Sequence, residues 1–465
     1  MPYKFIYTVI MILFSLIFFP AHGETQEASN ETIAEYKSRQ GEIEELTQYL
    51  VEAARNNDDL YSAFYSWKAA LQRETSFSSL PDPRFSFAWF IQPVETRTGP
   101  QEFKYGLSQT LPWFGKLDLK GEQALRDADI KKAKFDALKL KIFYQVKKTY
   151  YDYAFLAQAI RITRENIELM KYLESVARSR YTTGSGTYDG VIKAQVELGK
   201  LEDRLRSLEE RKRPTSAKLL AAMNRSSEGV LPLPASIPVM KIEIDPLQLK
   251  KDFKESNPRL LALTHKINKE KVSVELAEKD YFPDFSFGVE YIQTGKSRSP
   301  NVTNADRDPI VAGMSVNLPI WLDKQEAQLV EAKYKVKSAS RERAGLERNL
   351  SADLELEIYR YEDAIRKVKL YQDSLTPKAE QSLAVSIESF QSGTASSSDL
   401  IDAERTLIEF QLVYYEALAE QAKKVAAIEY LVGREIPCTV HGSTLTQTSA
   451  IISAQQLKQN GSHNE

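Results

Sequence analysis

The stretch Asp82-Pro83-Arg84-Phe85-Ser86-Phe87 comes back two hundred positions later as Phe282-Pro283-Asp284-Phe285-Ser286-Phe287. Upstream of it, Asn57 to Leu60 stands opposite Asn257 to Leu260 at the same offset of 200. Downstream, Tyr105-Gly106-Leu107-Ser108-Gln109-Thr110-Leu111-Pro112-Trp113 returns as Ala312-Gly313-Met314-Ser315-Val316-Asn317-Leu318-Pro319-Ile320, at an offset of 207. Tyr181-Thr182-Thr183-Gly184 matches Phe390-Gln391-Ser392-Gly393 at an offset of 209, which Val191 to Gln195 keeps against Leu400 to Glu404. Self-similarity in a fixed order marks one structural unit written twice, with small insertions between its elements. Each unit runs helix, strand, strand, long helix, turn, helix.

Four stretches alternate with a period of two: Phe85 to Trp89, Phe103 to Ser108, Phe285 to Tyr291 and Ile310 to Leu318. One face is aromatic and aliphatic; the other is Ser, Gly, Lys, Glu and Asn. A soluble sheet with one wet face carries the same alternation. As a set, the four suit a tilted membrane span of about 9–11 residues, with lipid on the dry face and a lumen on the wet one. Four strands cannot close a barrel, and an open edge in lipid leaves backbone groups unpaired. Subunits must therefore share the wall. Two would give eight strands and a bore filled by side chains, and three would give twelve with room for solute; a trimer is the expectation. Residues 93 to 102, with Pro93, Gly99 and Pro100, predict a short exterior loop, and residues 295 to 309 a longer polar one.

From Gly115 to about Arg180 there is no proline, and Phe135, Leu138, Ile142, Val146, Tyr150 and Tyr153 step by three and four. At about 1.5 Å per residue such a helix is on the order of 100 Å long. Its second copy, from about Lys324 to Phe390, carries the stripe Leu350, Leu354, Ile358, Tyr361, Ile365 and Val368, and Pro377 is expected to bend it. Shorter helices return at about 188 to 224 and 398 to 432. A connector with Pro232, Pro234, Pro238 and Pro246 follows the first return. A helix at about 248 to 280 then leads back to the strands, as one at about 30 to 78 does in the first copy. Helices this long must lie side by side as coiled coils. A filamentous coiled coil would explain them but not the paired strands in each copy.

Gly184-Ser185-Gly186-Thr187-Tyr188-Asp189 and Gly393-Thr394-Ala395-Ser396-Ser397-Ser398-Asp399 separate helices. Glycine ends a helix by taking positive φ, and Ser, Thr or Asp caps the next. Both read as tight αα-hairpins at the far end of the tube. Asp399 and Asp402 have two readings: negative charge that favours a helix N-terminus, or, by symmetry at a narrow tip, an acidic ring that attracts cations and holds a closed end. At the other end, Pro112 and Pro319 stop a strand, and Gly115 lets the chain swing into a helix.

The chain has 62 Lys+Arg against 64 Asp+Glu, a balance that gives no argument for nucleic acid as a partner. Lys4, the apolar run Phe5 to Phe19, Pro20 and Ala21-His22-Gly23 read as a secretory signal over 1–23. An uncleaved membrane anchor is the alternative, although the run is shorter than the ~20 residues a span needs. Cys438 is the sole cysteine, so no intrachain disulfide and no lipid-attachment cysteine are expected. His22, His265, His441 and His463 are scattered, with no phosphate loop, zinc spacing or Ser-His-Asp set. No enzyme activity, catalytic residue, metal site or cofactor is expected.

These residues resemble the TolC-like family of outer-membrane efflux proteins. The likeness runs from about residue 35 to 435 and rests on the duplicated Leu111-Pro112 and Leu318-Pro319, and on Tyr/Phe-x-x-Gly before an aliphatic-rich helix start. The resemblance implies a homotrimer with a twelve-stranded barrel in outer-membrane lipid and a twelve-helix periplasmic tunnel. It also implies a periplasmic adaptor (membrane fusion protein) docked on the tip, at Gly184, Ser185, Gly186, Thr187, Gly393, Thr394 and Ser396, and an inner-membrane pump of RND or ABC type. In that family, aspartates one turn into the second-copy tip helix constrict the periplasmic entrance, and Asp399 and Asp402 match them. Tyr361 is a candidate for holding the closed state. Leu111-Pro112-Trp113-Phe114-Gly115-Lys116 is similar to members serving heavy-metal pumps. Relatives of that subgroup often carry a lipid-attachment cysteine, so anchoring here is expected to rest on the barrel.

The expected organisation is mainly α with a small β part. It comprises a signal at 1–23, a first repeat at 24–228 and a connector at 229–247. A second repeat follows at 248–436, then a polar tail at 437–465. The first repeat has strands 85–92 and 103–111, long helix 115–180, tip 181–188 and helix 188–224. The second has helix 248–280, strands 284–293 and 310–318, long helix 322–390, tip 391–398 and helix 398–432. A channel for type I protein secretion would share this architecture. A periplasmic coiled-coil adaptor would share the helices but lack the duplicated strands.

Overall fold

The computed structural model describes residues 44–226, 229–242, 245–297 and 307–441, so the signal reading of 1–23 and residues 442–465 of the tail lie outside it. Two helices, Glu44–Asn56 (α1) and Asp58–Ser78 (α2), lead into the hairpin Arg84–Thr96 (β1) and Gly99–Leu111 (β2). The 67-residue Lys116–Thr182 (α3) and the returning Tyr188–Ala222 (α4) complete the first copy. After Val239–Ile242 (β3), the second copy begins with Pro246–Ser256 (α5) and Pro258–Lys279 (α6). It continues with Phe285–Thr294 (β4), Ile310–Val316 (β5) and Leu322–Leu370 (α7). A π-helical turn at Tyr371–Leu375, Thr376–Ser392 (α8), Ser397–Val432 (α9) and Cys438–His441 (β6) follow. No helix among the described residues is long and apolar enough to cross a membrane.

The helices lie in one layer. α2 and α6 cover the sheet-proximal half of α3, while α4 and α9 cover its other half; α9 also packs on α7 and α8. The core follows these seams, with Tyr150, Tyr153, Ile160 and Met170 of α3 and Leu418 and Ile428 of α9 fully buried. Midway along, α3 is belted by the connector. Tyr153 Oη donates to Leu231 O at 2.6 Å, and Gln158 Nε2 to Ala235 O at 2.9 Å.

β1, β2, β4 and β5 form one antiparallel sheet in that order, with β1 and β5 at its edges. The register puts Phe85, Leu107 and Val289 in one row and Phe87, Tyr105 and Tyr291 in the next. Ser86, Gly106 and Glu290 share the opposite face, where Lys104 pairs with Glu290 at 2.7 Å. Phe85, Trp89, Ile91 and Met314 are largely exposed. The sheet is therefore a two-faced ribbon that covers no core of its own.

Several expectations need correction. Residues 93 to 102 are not a loop: β1 and β2 extend to a two-residue turn at Arg97-Thr98. Pro93 is tolerated because β1 is an edge strand and its register shifts between Trp89 and Val94, where no ladder donor is required. Of 295 to 309, residues 298–306 lie outside the described ones. The helix expected at 248–280 is two helices. Asn257 ends α5 and caps α6, its side chain accepting from Arg259 N and Leu260 N, with Pro258 at the first turn. The early helix divides in the same way at Asn57, which accepts from Leu60 N at 2.9 Å. The helix expected at 322–390 carries a π-turn just before Pro377, where a wider turn accommodates a residue that cannot donate. The connector and the start of the tail are paired, β3 with β6, because Met240 and Ile242 alternate inward.

Candidate functional site

The first tip turn is made by Thr183 and Gly184, the latter at φ +71°, before Thr187 caps α4 by accepting from Gly190 N at 3.2 Å. In the second, Gly393 sits at φ +87° beyond α8, and Ser396 opens α9. Ser396 and Asp399 form a capping box. Asp399 N donates to Ser396 Oγ at 3.2 Å, and Ser396 N donates to the Asp399 carboxylate at 3.1 Å. The hydrogen bonds from Ser396 hold the Asp399 carboxyl below the usual range. Asp402, one turn on, is 73% exposed and pairs with Arg405 at 3.6 Å. Leu400 and Ile401 turn inward, so both aspartates lie on the face of α9 that this subunit leaves uncovered.

Arg180, near the end of α3, spans the two turns. Its guanidinium donates to Ser185 O at 2.8 Å and to Phe390 O, and lies over the Phe390 ring at 4.9 Å. Lys193 Nζ reaches Ser398 Oγ at 3.1 Å. Gly190 faces Ser397 so closely that any side chain there would meet its hydroxyl. Gly184, Ser185, Thr187, Gly393, Thr394 and Ser396 are exposed; Gly186 is half-buried and packs back on Arg180.

Two residues beyond Asp402, on the opposite face of α9, lies a residue the sequence reading passed over. Glu404 is fully buried, and neither carboxylate oxygen has a hydrogen-bond partner. Burial, with Glu197 of α4 beside it, pushes it up to about 7 against the pull of Arg405 and Arg204. Glu197 accepts from Arg405 and Lys200, and the Arg405 bond keeps it low. The signal was available: Glu404 interrupts the buried stripe Leu400, Ile401, Leu407 and Ile408. Tyr361 is not at the tip. It is buried at midlength, where Ile242 N donates to its hydroxyl at 2.8 Å and the hydroxyl donates to Met240 O at 3.3 Å.

At the opposite end, Gly115 takes φ +82° to start α3. Lys116, just inside, is buried with its ammonium 3.0 Å from Asp284, 3.4 Å from Asp280 and 3.1 Å from Phe282 O. Trp113 N donates to Asp284 at 2.8 Å, and its ring stacks on Phe282 at 5.0 Å. The segment from Pro112 to Lys116 thus bolts the first copy to the second where strands become helices. Pro319 ends β5 in the corresponding place, where Leu322 stands for Gly115.

Two copies of a helical hairpin, carrying a sheet with one apolar face and two open edges, define a channel-forming subunit of an outer membrane. The chain belongs to the outer membrane efflux protein family, whose model matches residues 50–225 and 249–434. It is a TolC-like channel protein of the Gram-negative outer membrane, and not an enzyme. It is similar to the cobalt-zinc-cadmium resistance protein CzcC of Cupriavidus metallidurans, 21% identical over 69% of this chain and 74% of the relative. It is also similar to the toxin and drug export protein A of Aggregatibacter actinomycetemcomitans, 23% identical over 62% of this chain and 65% of the relative. Its fold is that of the outer membrane protein VceC from Vibrio cholerae, with a TM-score of 0.66 at 15% identity over 84% of this chain and 97% of the other.

Proposed function

We propose that three copies assemble into a passive conduit with a shared twelve-stranded barrel in the outer membrane and a twelve-helix periplasmic tunnel. The observation that carries this is the ribbon sheet: among the described residues its edges β1 and β5 are unpaired and its aromatic face is bare. Only neighbours that complete the wall make such a sheet stable in lipid. In this reading residues 1–23 are a signal, 24–228 and 248–436 are the two repeats, 229–247 the connector and 437–465 a tail. A periplasmic adaptor docks on the tip turns at Gly184 to Thr187 and at Gly393, Thr394 and Ser396, and an inner-membrane pump drives export.

Asp399 and Asp402 form the periplasmic gate. Three copies of an exposed pair at a narrow end concentrate negative charge, which favours cations and resists anions. Asp399→Ala with Asp402→Ala is expected to raise conductance of the purified channel in planar bilayers and to weaken block by multivalent cations. No change in either removes the gate; a stable monomer in buffer without detergent removes the channel reading itself.

Metal cations are the substrate class we favour, because CzcC matches 69% of the chain and the segment Leu111 to Lys116 has the character of metal-pump partners. Drug or toxin export through an RND-type or ABC-type pump, type I secretion included, is the second reading, supported by the match to the toxin and drug export protein. Loss of metal tolerance, with drug tolerance intact, in a strain lacking the protein distinguishes the two.

A further inference from the structure

The two ends of the sheet are built to meet, and the chain contains a template for how. Within the subunit, β2 of the first repeat joins β4 of the second, from Leu111 opposite Phe285 to Gln101 opposite Thr294. Around a closed barrel, β5 of one subunit takes the place of β2, and β1 of the next takes the place of β4. Resting on the trimer reading, we infer that this joint repeats the internal one, with its buried charge pair reversed: Asp323 of one subunit pairs with Arg84 of the next, where Lys116 pairs with Asp284 inside the chain.

The assignment follows from the repeat. The segment around Leu111-Pro112 returns 207 positions later, and Asp284 lies 200 positions after its counterpart. Carried by those offsets, Lys116 falls on Asp323, in the first turn of α7, and Asp284 falls on Arg84, the first residue of β1. Both are exposed, and among the described residues neither side chain has a hydrogen bond or ion pair. The apolar parts carry over as well. Trp113, stacked on Phe282 and Phe285, falls on Ile320, and Phe285 falls on Phe85; Ile320 and Phe85 are each 66% exposed in the lone subunit. The joint would cover them.

Reversing the charges also sets the order of the strands. A first-repeat turn placed against a neighbour's β1 would set Lys116 beside Arg84, and a second-repeat turn placed against β4 would set Asp323 beside Asp284. Both wrong joints oppose like charges, which disfavours them without weakening the right ones. The transposed register pairs Leu318 with Phe85, Val316 with Phe87 and Met314 with Trp89. The repeats depart from strict equivalence inside their own hairpins: Phe85 pairs with Leu107, yet Phe285 pairs with Val316 rather than Met314, two residues on. A slip of two keeps every side chain on its face, so the test must bracket it.

In the full-length protein carrying Cys438→Ser, Val316→Cys is combined in turn with Phe85→Cys, Phe87→Cys and Trp89→Cys, and membranes are oxidised. Disulfides need Cβ atoms about 3.5–4.5 Å apart, so a directly opposite pair links and a diagonal one does not. The Phe87→Cys pair is expected to give intersubunit product at least tenfold above the other two. In parallel, Arg84→Asp and Asp323→Arg are each expected to lower the trimer fraction in detergent at least threefold, and together to restore it. Product at a flanking pair, or a double variant no better than the worse single, overturns the inference and leaves the trimer standing. Monomer in detergent, with no product from any pair, overturns the trimer reading as well.

Discussion

At the sheet end the two repeats share a ten-position ladder, an aromatic stack and a buried ammonium; at the tip they share Arg180, the Lys193–Ser398 and Gln391–Tyr172 hydrogen bonds, a close approach at Gly190 and, a few turns in, the Arg405–Glu197 ion pair. A ladder is cooperative, and opening one bond does not free its neighbours. The tip contacts are few and largely exposed, each worth about 1 kcal/mol. Elements that move are drawn from such weakly held regions. The contrast assigns rigidity to the wall and motion to the tip. Glu404 complicates it, because it places an unsatisfied carboxyl beside buried Glu197 inside the α4–α9 seam, two residues beyond Asp402.

The sharpest way to break the contrast is at Lys116. Its side chain is 6% exposed and serves two carboxylates. Lys116→Met keeps the length and removes the charge, leaving Asp284 and Asp280 to face each other. Loss of one partner from a buried pair costs roughly 3–4 kcal/mol. The urea midpoint of the detergent-solubilised protein is expected to fall accordingly. A midpoint unchanged from wild type would mean that the sheet end is not fastened there.

Glu404 gives the next largest effect, and its sign is fixed by linkage. Its carboxyl sits at about 7 when folded and near 4.5 when unfolded. The folded state therefore holds the proton more tightly, and the stability this confers is complete below about 4.5 and lost as pH rises through 7. A rise of that size corresponds to roughly 3 kcal/mol. Glu197, Arg405 and Arg204 face the group and couple to it. Glu404→Gln should raise the urea midpoint at pH 8, leave it almost unchanged at pH 4, and flatten the slope between. An unaltered slope would show that the carboxyl titrates normally.

Much of this was legible in the chain because it depends on local pattern. Alternation set the faces of the four strands, and glycines followed by Ser or Thr set the two tip turns. The splits at Asn57 and Asn257 were also legible: each asparagine opens a helix, and Pro258 follows the second. Pro93 misled because proline argues against a strand only where the ladder needs its donor, and an edge with a register shift does not. The pairing of β3 with β6 joins segments almost two hundred residues apart, and four residues carry too little pattern to announce a partner. Lys116 was visible only as part of a motif; its burial between Asp280 and Asp284 is a property of how the repeats meet.

The smallest effect expected is at Arg180, and it tests the mobile side of the contrast. The guanidinium holds Ser185 O and Phe390 O at once and rests on the Phe390 ring, so Arg180→Ala removes two hydrogen bonds and a cation–π contact at a partly exposed site. Together these amount to about 1–2 kcal/mol, and all of it is local. The global urea midpoint should therefore hardly move. Hydrogen exchange should quicken at Gly393 and Thr394, whose amides bond Phe390 O and Ser389 O, and channel conductance should rise by less than in the Asp399→Ala, Asp402→Ala variant. Arg180→Lys distinguishes charge from geometry: an ammonium cannot bridge both carbonyls in one plane, so it should behave like alanine. If it behaves like arginine, the charge alone holds the tip. If alanine lowers the global midpoint as far as Lys116→Met does, the tip is as firmly built as the sheet and the contrast fails.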